Sequence, residues 1–195
     1  MELAGKRIGF ALTGSFCTYE AVLPVVKTMA AEGAELTPIL SYNAANLDTR
    51  FAKAADIKSF LVKATGKNII DSLNDAEPVG PQKLFDLLII APCTGNTLAK
   101  LALGITDTPV LLAAKAQLRN AAPLLIAVST NDALAANAKN LGLLLSTRHI
   151  YFVPYRQDDS ANKCTSVVAD MSLIGSAAKL ALEGRQIQPV MLNPG

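Results

Sequence analysis

The sequence predicts an α/β protein in which helices cover both faces of a doubly wound parallel sheet. Apolar runs without polar alternation recur five times along the chain, and segments with helical spacing separate them. Continuous apolar runs are typical of strands that are buried on both faces, as in a parallel sheet. The 195 residues are enough for one domain, spanning 1–195, to bury a complete sheet-and-helix core.

Composition narrows the function classes. The net charge of +2 gives no electrostatic basis for nucleic-acid binding. No apolar run reaches the roughly 18 residues of a membrane span, and the first residues lack a signal-peptide layout. We therefore expect a cytoplasmic protein that does not bind membranes. The hydrophobic fraction of 51% favours broad subunit contacts, with a generously packed monomer as the alternative. The expected homo-oligomer is a trimer or a dodecamer.

Cysteine and histidine usage argues against a metal centre or a disulfide framework. Cys17, Cys93 and Cys164 are an odd number of cysteines at wide spacing, which is typical of a reducing compartment. The single histidine, His149, precedes the last predicted strand and is interpreted as a structural or surface residue. No metal site is expected, and no catalytic residue can be assigned.

The predicted elements alternate along the chain. Strands are predicted over 8–12, 35–40, 87–91, 123–128 and 150–153. Helices are predicted over about 18–31, 54–65, 98–103, 109–120 and 166–182, with an alanine-rich one ending near 145. Pro92 should end the third strand because proline has no N–H to donate. Residues 71–83 should form a loop, 154–165 a polar lid, and 184–195 a tail that wraps a neighbour or frays.

Small polar residues follow four of the predicted strands. Because the carboxyl ends of parallel strands meet at one sheet edge, these residues should line an uncharged pocket rich in hydrogen-bond donors. Helix capping and tight turns are the alternative interpretation. The first loop lacks the three glycines of a dinucleotide fingerprint. The candidate cofactor-binding residues are Thr13, Gly14, Ser15, Ser41, Asn43, Pro92, Thr94, Gly95, Asn96, Thr97, Ser129, Thr130 and Asn131.

The most specific signal is the segment 92–97, PCTGNT, together with 99–102 and 104–107. It resembles the Pro-Ala-Ser-Ala-Asn-Thr signature of the flavoprotein fold, which flavin-dependent cysteine decarboxylases and flavin prenyltransferases share. From about residue 6 to residue 190, the chain also resembles the B-subunit family of dipicolinate synthases. The further motifs that carry this resemblance lie at 13–15, 17–19, 48–51, 113–116, 118–120, 129–132 and 150–154.

The resemblance implies a three-layer Rossmann-like fold that binds flavin mononucleotide (FMN). The first loop and the second strand end would meet the phosphate, and the central motif and the loop after the fourth strand would flank the ring. The implied reaction is oxidation of dihydrodipicolinate to dipicolinate in the mother cell of a sporulating bacterium. The implied partner is the A subunit of dipicolinate synthase, which would supply a nicotinamide (NADP) site.

Basic residues are the candidates for binding the carboxylates of such a substrate, because guanidinium and ammonium groups pair with carboxylates. The candidates are Arg50, Lys115, Arg119 and Arg156.

Two other functions stay open. The chain could be a non-catalytic, nucleotide-binding partner of the A subunit. It could also be a flavin-dependent decarboxylase, although the cysteine decarboxylases carry a histidine after the second strand and residues 41–51 contain none.

Overall fold

A seven-stranded sheet runs through the middle of the protein in the computed structural model, which describes residues 2–193. The strands are β1 (Arg7–Leu12), β2 (Glu35–Leu40), β3 (Leu87–Cys93), β4 (Leu124–Thr130), β5 (Ile150–Phe152), β6 (Tyr155–Asp159) and β7 (Lys163–Ala169). Their order is β2-β1-β3-β4-β7-β6, and β5 pairs with β4. The first five strands are parallel, whereas β6 and β7 form an antiparallel hairpin.

Helices flank this sheet. They are α1 (Tyr19–Ala31), α2 (Tyr42–Asn46), α3 (Ala54–Thr65), α4 (Leu73–Ala76), α5 (Gly95–Ala102), α6 (Pro109–Arg119), α7 (Ala138–Leu145) and α8 (Ile174–Leu182). Helix α1 contacts α3 and α8, whereas α6 contacts α4 and α5, and α5 contacts α7. The predicted fold class, an α/β protein with a doubly wound and mostly parallel sheet between helices, is confirmed. None of the helices in residues 2–193 combines the length and the hydropathy that a membrane span requires.

The core is centred on β3, whose seven residues are all buried, with β1 and β4 on either side of it. Close packing there requires glycine in β1. A Cβ on Gly9 would lie 2.8 Å from Leu88 Cδ1 and 2.8 Å from the ring of Phe85. Carbon atoms do not approach this closely, so a side chain at this position would push β3 or Phe85 away.

The edge of β4 that faces away from β3 is shared by two strands. Residues Leu124 to Ile126 pair with β5 in parallel, and Ser129 and Thr130 pair with Val168 and Val167 of β7 in antiparallel fashion. β5 stops at Phe152, so the polar end of β4 is available to the hairpin. The hairpin therefore lies beside the carboxyl end of β4, one of the strand ends that the sequence predicts to line a ligand pocket.

Several predicted elements match the structure closely. β2 and α3 have the predicted bounds, and α1, α6 and β1 agree to within one residue at each end. Thr108 caps α6 by accepting a hydrogen bond from the Leu111 N–H, and Pro109 occupies the first turn. Gly33 has a φ of +88° after α1, a conformation that favours glycine.

The prediction that Pro92 ends β3 is wrong. The strand continues to Cys93, and its register with β4 shifts between Ile90 and Cys93. A strand can hold a proline at such an irregularity, because an unpaired position needs no N–H donor. Helix α5 also begins at Gly95, three residues before the prediction, because Thr94 already caps it.

Two predicted loops contain regular structure. In 71–83, Ser72 caps the short helix α4 by accepting a bond from the Asp75 N–H, and the helical turn Glu77–Val79 follows. The predicted lid, 154–165, is mostly the hairpin of β6 and β7. The final helix, predicted from 166, therefore starts only at Ile174, because 163–169 form β7.

The chain after α8 packs against its own sheet. The Tyr155 N–H donates to the Val190 carbonyl (3.0 Å), and the Leu192 N–H donates to the Tyr155 carbonyl (2.8 Å). The side chain of Gln186 both accepts from the Phe152 N–H and donates to the Phe152 carbonyl. The described part of the predicted tail thus bonds to the end of β5 and the start of β6, and residues 1, 194 and 195 lie outside the described residues.

We predict that Gly9→Ala lowers the free energy of unfolding by about 1–3 kcal/mol, because the new methyl group overpacks the contact with Leu88 and Phe85. Denaturant unfolding measures the change. Gly142→Ala is the matched control: a Cβ there meets nothing within 4 Å, so alanine in α7 should raise stability by about 0.5–1 kcal/mol. Equal stability of Gly9→Ala and the wild type would contradict the packing described.

Candidate functional site

A cavity of about 720 Å³ opens at the carboxyl ends of β1, β3 and β4. This size suits a small-molecule ligand. The base of the β6–β7 hairpin closes one side of it. The lining residues are Gly14, Ser15, Phe16, Cys17, Thr18, Phe51, Thr94, Gly95, Asn96, Ser129, Thr130, Asn131, Asp132, Asp158, Lys163, Ser166, Val167 and Val168.

Thr13 joins two of the strand ends beneath the cavity. Its buried hydroxyl donates to the Pro92 carbonyl (2.6 Å) and accepts from the Thr94 N–H (3.0 Å). The Tyr19 hydroxyl donates to the Thr13 carbonyl (2.9 Å). Burial raises the pKa of Tyr19, so this donor stays protonated. One side chain after β1 therefore fixes the backbone at the end of β3 and the start of α5.

Two serines connect the first strand end to the fourth. The hydroxyls of Ser15 and Ser129 lie 2.8 Å apart and share a hydrogen bond, although 114 residues separate them in the chain. The Thr18 hydroxyl donates to the Ser15 carbonyl (2.7 Å), which fixes the loop between β1 and α1. This part of the wall consists of hydroxyl groups that can donate to a ligand without charge.

The N-terminus of α5 forms the middle of the wall. Thr94 caps the helix: its hydroxyl oxygen accepts from the Thr97 N–H (3.3 Å) and lies 3.0 Å from the Thr97 hydroxyl. The N–H groups of Gly95 and Asn96 have no intrahelical acceptor, as in the first turn of any helix. Gly95 is required here, because a Cβ would lie 2.5 Å from Thr130 Oγ1 and 2.6 Å from Asp132 Oδ1.

Three charged side chains line the cavity, one after β4 and two on the hairpin. Asp132 accepts from the Thr130 hydroxyl (2.6 Å) and from the Asn137 amide (2.8 Å). Asp158 pairs with Lys163 at 2.8 Å. Hydrogen bonding to Asp158 raises the pKa of Lys163, so the ammonium stays charged. Asp132 lies beside the start of α5, since a Cβ on Gly95 would be 2.6 Å from Asp132 Oδ1, whereas Asp158 and Lys163 belong to the hairpin.

The predicted cofactor residues fall into two groups. Eight line the cavity: Gly14, Ser15, Thr94, Gly95, Asn96, Ser129, Thr130 and Asn131. Thr13, Pro92 and Thr97 are buried behind this lining. Ser41 caps α2, and the Cβ of Asn43 lies 3.6 Å from where a Cβ on Gly14 would be. The structure therefore gathers three of the four predicted strand ends around one cavity, and Ser41 and Asn43, which follow β2, stand outside its lining.

The four predicted substrate-binding cations lie outside the cavity lining. Lys115 and Arg119 are exposed on α6, and Arg156 pairs with Asp170 at 2.8 Å. The guanidinium of Arg50 stacks over the Phe51 ring at 4.8 Å, and it is Phe51 that lines the cavity. Sequence spacing placed these cations near strand ends or motifs but could not show where their side chains lie.

The cysteines and the histidine differ in environment. Cys93 is buried, and burial raises the pKa of its thiol to about 12, so it stays protonated and unreactive. Cys17 and Cys164 are exposed thiols, and Cys17 lines the cavity. His149 lines a second cavity with Arg148 and Tyr151, at the start of β5. Among residues 2–193, no group of three His, Cys, Asp or Glu side chains could hold a metal ion.

Sequence reasoning missed the part of the wall that belongs to the hairpin. Asp158, Lys163 and Ser166 lie in segments predicted as a lid or a helix, together with Val167 and Val168. A usable signal was present: the run KCTSVVA is rich in β-branched residues, and a polar segment with turn-forming Ser160 and Asn162 precedes it.

Comparison with known proteins gives a consistent result. The flavoprotein family matches residues 1–171. The B subunit of dipicolinate synthase from Bacillus subtilis (strain 168) is 47% identical over 192 residues, which cover 98% of this chain and 96% of the relative. The crystal structure of the B subunit of dipicolinate synthase from Bacillus halodurans is 42% identical and has a TM-score of 0.92, with 100% of each chain covered. The FMN-dependent cysteine decarboxylase SpaF is 23% identical with a TM-score of 0.68, over 92% of this chain and 98% of SpaF, and shares the fold.

We predict that Thr13→Val lowers the free energy of unfolding by about 1–3 kcal/mol, because valine keeps the shape but leaves the Pro92 carbonyl and the Thr94 N–H unpaired. Thr13→Ser retains the hydroxyl and should lose less. Chemical denaturation of both variants measures the difference. If valine proved as stable as serine at this position, the buried hydroxyl would not be the link between the two strand ends.

Proposed function

The chain belongs to the flavoprotein family and, within it, to the B subunits of dipicolinate synthases; from this premise we propose that it is the flavin-binding oxidoreductase component of such an enzyme. It would bind FMN in the cavity at the strand ends and position dihydrodipicolinate beside the ring for oxidation to dipicolinate. The single observation that carries the proposal is the meeting of three polar strand ends around one cavity of about 720 Å³.

The first loop supports the phosphate end of this proposal. The Ser15 and Ser129 hydroxyls, 2.8 Å apart, can turn their protons towards phosphate oxygens. Gly14 leaves the backbone accessible, since the nearest atoms to a Cβ there are the Asn43 Cβ and the Phe16 ring, both 3.6 Å away. Of the two carboxylates of the lining, Asp132 follows β4 and Asp158 lies within β6. A phosphate bound at the first loop would thus meet hydroxyls and amides.

The first turn of α5 supports the placement of the ring. The isoalloxazine edge carries carbonyl oxygens and nitrogens, which need both donors and acceptors. The Asn96 and Asn131 amides supply both, and the free N–H groups of Gly95 and Asn96 supply further donors. The Phe51 ring, the Phe16 ring and Val167 add apolar surface to the same cavity. This mixture of apolar walls and a few polar groups is typical of cofactor sites.

When bound, FMN would supply the acceptor for the two electrons and two protons that leave as the dihydropyridine ring becomes aromatic. The chain's own task is to bind and orient the substrate. No histidine lines the cavity within residues 2–193, and the Cys93 thiol stays protonated. Because aromatisation is downhill once an acceptor is in place, the proposed reaction needs little acid–base assistance from side chains.

The same proposal extends to partners and location. The relatives are named as subunits, which supports a partner, the A subunit of dipicolinate synthase, that reoxidises the flavin through a nicotinamide (NADP) site. A homo-oligomer is supported by exposed apolar side chains such as Leu103, 72% exposed, and Leu143, 52% exposed. We place the protein in the cytoplasm of the mother cell during sporulation.

We predict that Asn96→Asp weakens FMN binding about tenfold or more, because a carboxylate replaces an amide donor beside an electron-rich ring. Titration of flavin fluorescence measures the dissociation constant. Gln82→Glu is the matched control: it makes the same amide-to-carboxylate change at an exposed position outside the cavity lining, so its affinity should equal that of the wild type. Unchanged affinity of Asn96→Asp would contradict the placement of the ring.

Activity is tested by reconstitution. We expect dihydrodipicolinate to be oxidised when FMN, this chain and the A subunit are combined, with the pyridine product followed by its ultraviolet absorbance. Omitting this chain should abolish the reaction. Full activity of the A subunit alone would show that this chain is a non-catalytic partner, and release of carbon dioxide from a cysteinyl substrate would show that it is a decarboxylase.

A further inference from the structure

We infer that Lys163, at the tip of the β6–β7 hairpin, binds a carboxylate of the substrate and so determines specificity for an anionic ring compound. This inference rests on the proposed function and names a residue of the same site. Lys163 is the only Lys or Arg among the described residues that line the cavity. The cations predicted from sequence are absent from that lining.

The hairpin is built into the cavity wall, which gives Lys163 a defined position. Ser166, Val167 and Val168 line the cavity, and Val168 and Val167 pair with Ser129 and Thr130 of β4. Lys163 lies at the other end of β7, next to the turn. β7 thus connects Lys163 at the turn to the segment that pairs with the polar end of β4.

The turn before Lys163 is fixed by one carboxylate. Asp159 Oδ1 accepts from the N–H groups of Ala161 (3.2 Å) and Asn162 (3.0 Å), and Oδ2 accepts from the Asn162 amide (2.9 Å). These bonds lower the pKa of Asp159, so it stays ionised and keeps the turn closed at neutral pH. The Gln157 amide also donates across the hairpin to the Cys164 carbonyl (2.9 Å). Lys163 therefore follows a turn whose backbone is fixed by hydrogen bonds.

The ion pair with Asp158 leaves Lys163 able to take a ligand. The two side chains are 60% and 37% exposed, for Lys163 and Asp158 respectively, and exposed pairs of this kind contribute little net stability. An ammonium group has three N–H donors, and Asp158 Oδ2 accepts one of them. A substrate carboxylate can bind the remaining donors, or replace Asp158, without breaking a buried contact.

Charge balance favours this role. Asp132 and Asp158 both line the cavity, so without Lys163 an anionic substrate would meet only negative charge there. Asp132 is already bonded to Thr130 and Asn137. The ammonium group compensates Asp158 in the free protein and would compensate the incoming carboxylate in the complex. A neutral ring compound would gain nothing from it.

The test is calorimetric titration of pyridine-2,6-dicarboxylate into the FMN-loaded chain. We expect Lys163→Met to weaken this binding about tenfold or more, and Lys163→Arg to restore most of it, because a charged donor is kept. Lys139→Met is the matched control: Lys139 is exposed on α7 outside the cavity lining, so its loss should leave the affinity unchanged. The affinity of each variant for FMN is measured separately and should equal that of the wild type.

The outcomes separate the two claims. Equal dicarboxylate affinity of Lys163→Met and the wild type, with FMN bound by both, overturns the role of Lys163 and leaves the proposed function intact. Absence of dicarboxylate binding to the FMN-loaded wild type also overturns it. Failure of the wild type to bind FMN at all overturns the proposed function, and dicarboxylate binding that still depends on Lys163 in that protein would support the carboxylate site by itself.

Discussion

The buried hydroxyl of Thr13 is the interaction on which the geometry of the site depends. It bonds to the backbone on both sides of Cys93, at Pro92 and Thr94, and so holds the loop after β1 against the start of α5. The Ser15–Ser129 bond extends this connection to β4. Three strands that are adjacent in the sheet thereby present their polar ends at a fixed separation. The cavity keeps its shape because the hydrogen bonds of Thr13 and of the two serines hold these strand ends in place.

The pairing of β4 with two different strands explains why the hairpin contributes to the cavity, beside the ends of β1, β3 and β4. The first half of β4 pairs with the short strand β5, and its last two residues pair with β7 instead. The change of partner turns the sheet from parallel to antiparallel at the level of the ligand edge. The hairpin then adds Asp158 and Lys163 to the lining that also contains Ser15, Ser129 and the start of α5. Uncharged donors and an ion pair thus line one space, which suits the binding of a cofactor together with an anionic substrate.

The parts of the fold that sequence predicts well are those where local chemistry and burial agree. Apolar runs identify β1 to β5. Thr108 and Pro109 identify the start of α6, because a capping threonine followed by proline is typical of a helix N-terminus. The polar strand ends also identify eight of the cavity residues, since parallel strands bring their carboxyl ends together. That these eight residues bind a cofactor stays a prediction.

The failures have a common physical cause, which is that tertiary pairing overrides local pattern. Pro92 stays within β3 because a register shift removes the need for its N–H, and β7 forms because β4 offers it an edge. The position of Arg156 shows the same limit: its pairing with Asp170 is made by the hairpin, which the sequence did not predict. Lys163 was missed as a site residue for that reason.

The central claim, that the joined strand ends form an FMN site, is tested most directly by one absorbance spectrum. The purified chain is incubated with FMN, separated from free flavin by desalting, and scanned between about 350 and 480 nm, where oxidised flavin absorbs. The account predicts flavin bands that remain with the protein at about one flavin per chain. A folded but colourless protein after desalting would contradict it.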